Sequence, residues 1–326
     1  MAVKTVNDMK NKIKEPLKII YSKAHVKKQL LKIFFRKKRN SFIVKKNIKN
    51  GVFPIEIISS MGLFANLTFA LYIIKFCEEK NLTPYFKFTL ENSNIKGNPF
   101  DYFFKIRKSI IKTTNLRFAK MKSWNDLNMD IDWSKYQNLN IQSAGTIIKD
   151  HFIINQKVQD NVNVFFEEKL KKKNVLGLHY RSTDKQGGEA NIVTYDFVIN
   201  QLEKYLIKYP ETELIFVSTD DKNFIKFIET TFFKVPITYY PDSYRSSDKT
   251  SIHLSGQNLY NINLDAITNC LLLSKCTRLM KTASILSGWS KLFNPNLPVI
   301  ILSKPKDRFN FFPEKNVVET SLYEVS

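Results

Sequence analysis

Cysteine is scarce in this chain. Three residues, Cys77, Cys270 and Cys276, stand far apart among 326. With no Cys-x-x-Cys pair, neither a disulfide framework nor a cysteine-based zinc site is expected. Buried apolar thiols in a reducing compartment account for them. Glycine (9) and proline (11) are also few, which excludes a low-complexity chain. No apolar run reaches the roughly 18 residues that a membrane span needs. The N-terminus has no short apolar stretch leading to a small-residue cleavage site, so no signal peptide is expected and the location reads as cytoplasmic. A His/Glu zinc helix, a Walker loop and a Gly-x-Ser-x-Gly elbow are all missing. No Asp-x-Asp stands at a strand end ready to hold a metal-bound nucleotide. Asp130-Ile131-Asp132 has the letters but lies in an Asn/Trp stretch.

A hydrophobic content of 43% is enough for a full core, and 326 residues suit one large or two modest domains. The net charge of +21 is unevenly placed. Residues 1–50 hold 16 Lys and Arg against Asp8 and Glu15, a local +14, which leaves +7 for the other 276. The question of a charged partner therefore belongs to the N-terminus. Between residues 10 and 48 basic and apolar residues interleave. Val26, Leu30 and Phe34 recur every fourth residue with Leu31 and Phe35 beside them, a helical stripe. A basic helix with an apolar side suits an anionic membrane surface. A solvated helix packed on the domain explains the same letters equally well. No nucleic-acid partner is expected, because the rest of the chain has no reading surface.

Strand and helix signals alternate. Ile55–Ser59 reads as a strand, Ser60–Asn66 as a small-residue loop, the apolar run to Glu79 as a helix and Thr83–Phe88 as a strand, one βαβ unit. Residues 110–150 give mixed signals. Asp160–Lys173 reads as a surface helix ending at a domain boundary near 170. Beyond it come strands at Val175–Tyr180, Glu213–Ser218, Ile237–Tyr240, Arg278–Lys281 and Val299–Leu302. Helices stand between them at Tyr195–Tyr209, Lys222–Thr230, Asp265–Ser274 and Ser287–Phe293. Such alternation implies parallel sheets with ligands beyond the carboxyl ends of strands.

Four loops of the second half fall at those ends: His179–Glu189, Ser218–Asp221, Pro241–Arg245 and Thr282–Gly288. The first presents His179, Arg181, Asp184 and Lys185 directly after a strand. Arginine binds two phosphate oxygens at once, and lysine adds a compact charge. Asp184 can orient either cation. Gly187-Gly188 allows close backbone approach to a ligand, and Glu189 can take a proton from a hydroxyl. A surface ion pair at a strand end accounts for each of these residues taken singly. Ser284 can open a helix N-terminus to an anion or simply cap it. Asp220, Asp221 and Asp265 read equally well as helix caps, and Pro241–Arg245 as a plain turn.

In register, the segment Gly177–Glu189, GLHYRSTDKQGGE, resembles the signature of the α1,6-fucosyltransferases, the core N-glycan enzymes and the rhizobial nodulation enzyme. That signature is a hydrophobic strand, then His-x-Arg-Arg-Thr-Asp-Lys, then a Glu four residues on. His179, Arg181, Thr183, Asp184, Lys185 and Glu189 match it. The resemblance runs on through Ser218–Asp221, the Asp265 helix and Thr282-Ala283-Ser284, over about residues 174–302. The loop Gly62–Asn66 is loosely similar to the glycine loop of related fucosyltransferases. The family's second arginine is Ser182 here, which puts the donor sugar in question.

The resemblance implies an α/β fold of the GT-B kind, two Rossmann-like domains facing a cleft, here with a basic N-terminal helical extension. The expected divisions are 1–50 for the extension, 51–170 for an acceptor-side domain and 171–326 for a nucleotide-sugar domain. It implies an inverting glycosyltransferase that needs no metal or other cofactor and takes fucose from GDP-fucose to a glycan hydroxyl. Arg181 would clamp the β-phosphate, with Lys185 and Ser284 assisting, and Thr282 would also belong to the donor site. His179 and Asp265, with Asp220 or Asp221 nearby, would hold the guanosine part. Thr183 and Asp184 would orient the loop, and Glu189 would be the base. A Lys/Asn/Ile-rich chain without an anchor fits a bacterial enzyme of surface polysaccharide or lipid-linked glycan synthesis, peripheral on the inner face of the membrane. The alternatives are a GT-B transferase with another nucleotide sugar, or a non-catalytic basic protein binding membrane or nucleic acid.

Overall fold

The computed structural model describes residues 27–321, apart from 29, 60, 91–96, 108–115, 124–125, 128–131, 172, 183–187, 233 and 248–257. Its first half is built on β1 (Val52–Ser59), α2 (Leu63–Glu79) and β2 (Thr83–Leu90), preceded by helix α1 (residues 30–49). β1 is a nearly continuous apolar run, the signature of a parallel strand covered on both faces. It is the centre of a parallel three-stranded sheet ordered β2-β1-β4, where β4 is Ala119–Met121. α2 is apolar on every side and largely buried, as a helix clamped between layers must be. The βαβ unit expected from the sequence is present.

α1 seals the free edge of β4. The buried Asn40 side chain donates to the Lys120 carbonyl at 2.6 Å and accepts from the Lys120 amide at 3.0 Å, so it takes the place of a neighbouring strand. Arg36 reaches Asp126 at 2.8 Å, and Asn47 donates to the Arg117 carbonyl.

Residues 116–154 resolve into β4, α3 (Trp133–Gln137), α4 (Ile141–His151) and β5 (Phe152–Ile154), and β5 pairs antiparallel with β3 (Phe104–Ile106). Asp132 caps α3 through the Ser134 amide, while Asp130 and Ile131 lie outside the described residues. The helix expected at Asp160–Lys173 begins earlier, as α5 (Gln156–Phe165), and continues as one π turn through Phe166–Leu170.

The second half is a parallel five-stranded sheet, ordered β10-β9-β6-β7-β8. The strands are β6 (Val175–Tyr180), β7 (Leu214–Thr219), β8 (Ile237–Thr238), β9 (Arg278–Lys281) and β10 (Val299–Ile301). The helices are α6 (Tyr195–Lys208), α7 (Lys222–Thr231), α8 (Leu259–Ser274), α9 (Ile285–Phe293) and α10 (Glu314–Thr320). β6 comes first in the chain but sits between β7 and β9. The winding direction therefore reverses there, and a crevice opens beyond the ends of β6 and β9. Gly177 on β6 is required by packing, since a Cβ there would lie 3.0 Å from Cys276 Sγ and 3.1 Å from a Leu273 methyl.

The halves share one hydrophobic core, which runs from Phe53 and Leu67 through Phe165 to Cys270 and Trp289. Trp289 on α9 donates to Thr68 on α2 at 3.0 Å and lies against Phe64. Gly145 on α4 meets Pro295 so closely that a Cβ would stand 2.4 Å from the proline ring. Burial pushes the thiols of Cys77, Cys270 and Cys276 up, which makes them inert packing groups. Among the described residues no helix is long and apolar enough to cross a membrane.

Candidate active site

A cavity of about 550 Å³ fills the crevice. One wall is the loop after β1 and the first turn of α2, Met61 to Ala65. The opposite wall is made by the ends of β6, β7 and β9, the start of α9 and the middle of α8. His179, Arg181, Glu189, Asp220, Asp265 and Ser284 all line it. Three residues of the first strand-end loop, one from each of two others and Asp265 of α8 thus meet in one place, with the glycine-containing loop of the first half facing them.

Arg181 is held before any ligand arrives. Its Nε lies 3.0 Å from Asp220 Oδ2, and the two side chains are 12% and 5% exposed. Its backbone amide donates to Thr282 Oγ1 at 2.8 Å, and the Thr282 amide donates to the His179 carbonyl at 3.0 Å. Thr282 is buried and does not line the cavity; its place in the structure is the tie between β6 and β9. His179 is buried at the end of β6.

The two adjacent aspartates divide their work. Asp220 faces the cavity and Arg181. Asp221 turns away and caps α7, accepting from the Asn223 and Phe224 amides at 2.9 and 3.2 Å. Its other oxygen accepts from Ser182 Oγ and Tyr195 OH, each at 2.6 Å. Burial first and this carboxylate second push the Tyr195 phenol up. Ser182 therefore points at Asp221 and is absent from the cavity wall. Neighbouring residues on an extended segment face opposite ways, which explains the split.

Asp265 does not cap its helix. α8 begins at Leu259, with Asn258 accepting from the Tyr260 amide, so Asp265 stands two turns inside. There it accepts from Ser243 Oγ at 2.7 Å and Asn269 Nδ2 at 2.6 Å, near the Arg245 guanidinium. Burial dominates and pushes its carboxyl up to about 6. Pro241–Arg245 is accordingly more than a turn: it delivers Ser243, Tyr244 and Arg245 to this carboxylate. Arg245 is fixed by the Ser243 and Tyr240 carbonyls and lies over the Tyr239 ring. A second hollow of about 400 Å³ adjoins the first and shares Tyr244, Ile262 and Asp265 with it.

Ser284 occupies the N-cap of α9 without a side-chain capping bond. Its amide donates to Glu314 Oε2 at 3.1 Å, from the far end of the chain. Glu314 in turn receives Lys281 Nζ on both oxygens, at 2.8 and 2.7 Å, with the two side chains 0% and 4% exposed. Sequence reading missed this pair, since nothing near Phe312-Pro313-Glu314 signals a site. It also missed Asn263 and Asn269, two buried asparagines on the cavity wall. Asn269, one turn after Asp265, was the available signal.

Glu189 is half-buried on the cavity rim. Its carbonyl accepts from the Lys306 amide at 2.8 Å, and Ala190 bridges to Pro305, so the β10 side of the sheet pins this turn. Thr183, Asp184, Lys185 and Gly187 lie outside the described residues.

No family model matches the sequence, and no curated protein does. Among solved structures, the fucosyltransferase NodZ from Bradyrhizobium is similar, with a TM-score of 0.52 and 12% identity over 76% of this chain and 96% of that one. FUT1 of Arabidopsis thaliana, solved as a variant in complex with GDP, is similar with a TM-score of 0.50 and 10% identity over 87% of this chain and 79% of that one. The chain has the GT-B fold that these fucosyltransferases share.

Proposed function

We propose that this protein is an inverting glycosyltransferase that moves fucose from GDP-fucose to a glycan hydroxyl, on a bacterial surface polysaccharide or a lipid-linked glycan. The observation that carries the reading is the pairing of Arg181, braced by Asp220, with the α9 N-terminus across one switch-point cavity. In the reaction the acceptor oxygen attacks the anomeric carbon from the face opposite the diphosphate. The bond from that carbon to the phosphate oxygen breaks, and the electron pair leaves with the nucleoside diphosphate. A guanidinium can take two of the oxygens on which that charge builds. The α9 N-terminus, whose Ser284 amide is already taken by Glu314, adds its remaining free amides and a positive dipole end to the same group. These fixed charges do the work often given to Mg²⁺, so the proposed reaction needs no metal. Glu189 accepts the proton that the acceptor hydroxyl loses.

Asp265, Asn263 and Asn269 form the polar end of the cavity. Asn263 Nδ2 and Asn269 Oδ1 are buried without a hydrogen-bond partner among the described residues. Buried polar atoms of this kind are expected to find a partner, and the edge and ribose of a purine nucleotide offer donors and acceptors for both. The similar plant structure was solved with GDP, which supports a guanosine nucleotide as the ligand.

A thermal-shift series with GDP, UDP, ADP and CMP tests the reading. Stabilisation by GDP at concentrations where the others are silent is the expected result. Selective stabilisation by UDP would replace the donor, and silence with all four would favour a non-catalytic binding protein.

A further inference from the structure

α1 is two helices in function. Its second half docks on the first domain, where Asn40, Ile43, Val44 and Asn47 are buried. Its first half presents large apolar side chains to solvent. Leu30, Phe34 and Phe35 are 61%, 50% and 65% exposed, Leu31 and Ile33 are exposed as well, and Phe42 on the outer side of the second half is too. At 100° per residue, Leu30, Leu31, Phe34, Phe35 and Phe42 fall on the side away from the Asn40–Asn47 seam. Single exposed apolar residues are ordinary on a protein surface; a contiguous strip of them marks a binding surface.

Charge identifies the occupant. Residues 27–49 carry ten Lys and Arg and no Asp or Glu. Arg36 spends its charge on Asp126, while Lys37, Lys38 and Arg39 remain on the exposed side of the helix or its flanks. Lys38 Nζ sits 4.9 Å from the centre of the Phe34 ring, so cation and aromatic share one patch. We propose that this face of α1 lies in the interface of an anionic lipid bilayer, with Leu30, Leu31, Phe34, Phe35 and Phe42 inserted among the acyl chains near the headgroups and the basic residues beside the headgroup phosphates. A second copy of the chain fits poorly, because two such faces would bring like charges together. Duplex nucleic acid would satisfy the lysines but leave five large apolar groups without a role. The inference rests on α1 alone and does not depend on the reading of the cavity.

The docked half of the helix orients the molecule. Because Asn40 is bonded to the β4 edge, the lipid-facing strip is fixed relative to the first domain, the side assigned to the acceptor. Membrane binding would hold that domain at the bilayer, where a lipid-linked acceptor is found.

Co-flotation of the full chain with phosphatidylcholine vesicles, with and without about one-third phosphatidylserine, tests the proposal. The protein is expected to float with the anionic vesicles and to stay down with the neutral ones. The F34S/F35S variant, changed only at exposed positions, should lose at least about tenfold in partitioning. K37Q/K38Q should lose about fivefold per lysine, and high salt should mimic it. An unchanged far-ultraviolet spectrum shows that both variants are folded. Equal flotation with both vesicle types, or wild-type flotation by F34S/F35S, overturns the proposal. It is overturned equally by a doubled mass in light scattering that F34S/F35S abolishes, which assigns the face to a second copy. A salt-sensitive complex with a duplex oligonucleotide that both phenylalanine changes leave intact, in a protein that does not float, assigns it to nucleic acid.

Discussion

Changing Lys281 to methionine should unsettle the protein far more than changing Lys281 and Glu314 together. Lys281 Nζ donates to both Glu314 oxygens, and the pair is shut off from solvent. Removing one member of a buried pair leaves an uncompensated charge, at about 3–5 kcal/mol. Here the stranded carboxylate keeps two favourable neighbours, the Ser284 amide at 3.1 Å and the positive end of α9. Together they return about 1 kcal/mol, so K281M is expected to lose roughly 2–4 kcal/mol. In K281M/E314L neither charge remains. The Ser284 amide loses its acceptor, worth about 1 kcal/mol, and the rest is apolar replacement of similar volume. The double variant should therefore lie within about 2 kcal/mol of wild type. Urea denaturation of the wild type, both single variants and the double variant closes the cycle. A coupling above about 2 kcal/mol, with the double variant more stable than the sum of the singles, is expected. Losses that add to within about 0.5 kcal/mol would refute the claim that the two charges are buried against each other.

Two further outcomes follow from the same neighbourhood. Gly288→Ala should destabilise by about 1–3 kcal/mol in a thermal or urea melt, because its Cβ would stand 2.6 Å from Glu314 Oε1 and 2.8 Å from Pro313 Cγ; wild-type stability would show that α10 yields freely. Asp265 binds its proton more tightly folded than unfolded, about 6 against 3.8. Its contribution therefore makes the protein less stable as pH rises from about 4 to about 6, by on the order of 3 kcal/mol. Asp265→Asn should remove that fall, and an unchanged pH dependence of the denaturation midpoint would contradict it.

The second domain was legible because its strands are short apolar runs that stop abruptly at polar residues. His179, Arg181, Asp220 and Ser284 stand at those stops, and the strand order brings them together. The short strands of the first half carried no such mark. β3, β4 and β5 are three residues each, too short to show a period in the sequence. Asp265 reads as a cap as well as a ligand because the mostly apolar segment Ala266–Leu273 follows it, although Asn258, Leu259 and Ile262 already start the helical spacing. The doubt that Ser182 cast on the donor also changes. Ser182 faces Asp221 and is absent from the cavity wall, so the missing second cation is a property of the donor site that Arg181 alone must meet. Glu314 could not be foreseen, since its partner is 33 residues away and only the fold joins them.

Equilibrium binding of GDP by titration calorimetry, read beside single-turnover transfer for the wild type, Arg181→Ala and Glu189→Gln, tests the central claim most directly. If Arg181 is the phosphate clamp and Glu189 the base, Arg181→Ala weakens GDP and lowers transfer by about 10²–10³-fold or more, while Glu189→Gln binds GDP as wild type and still fails to transfer. Wild-type GDP affinity in Arg181→Ala, or full transfer by Glu189→Gln, would contradict the account.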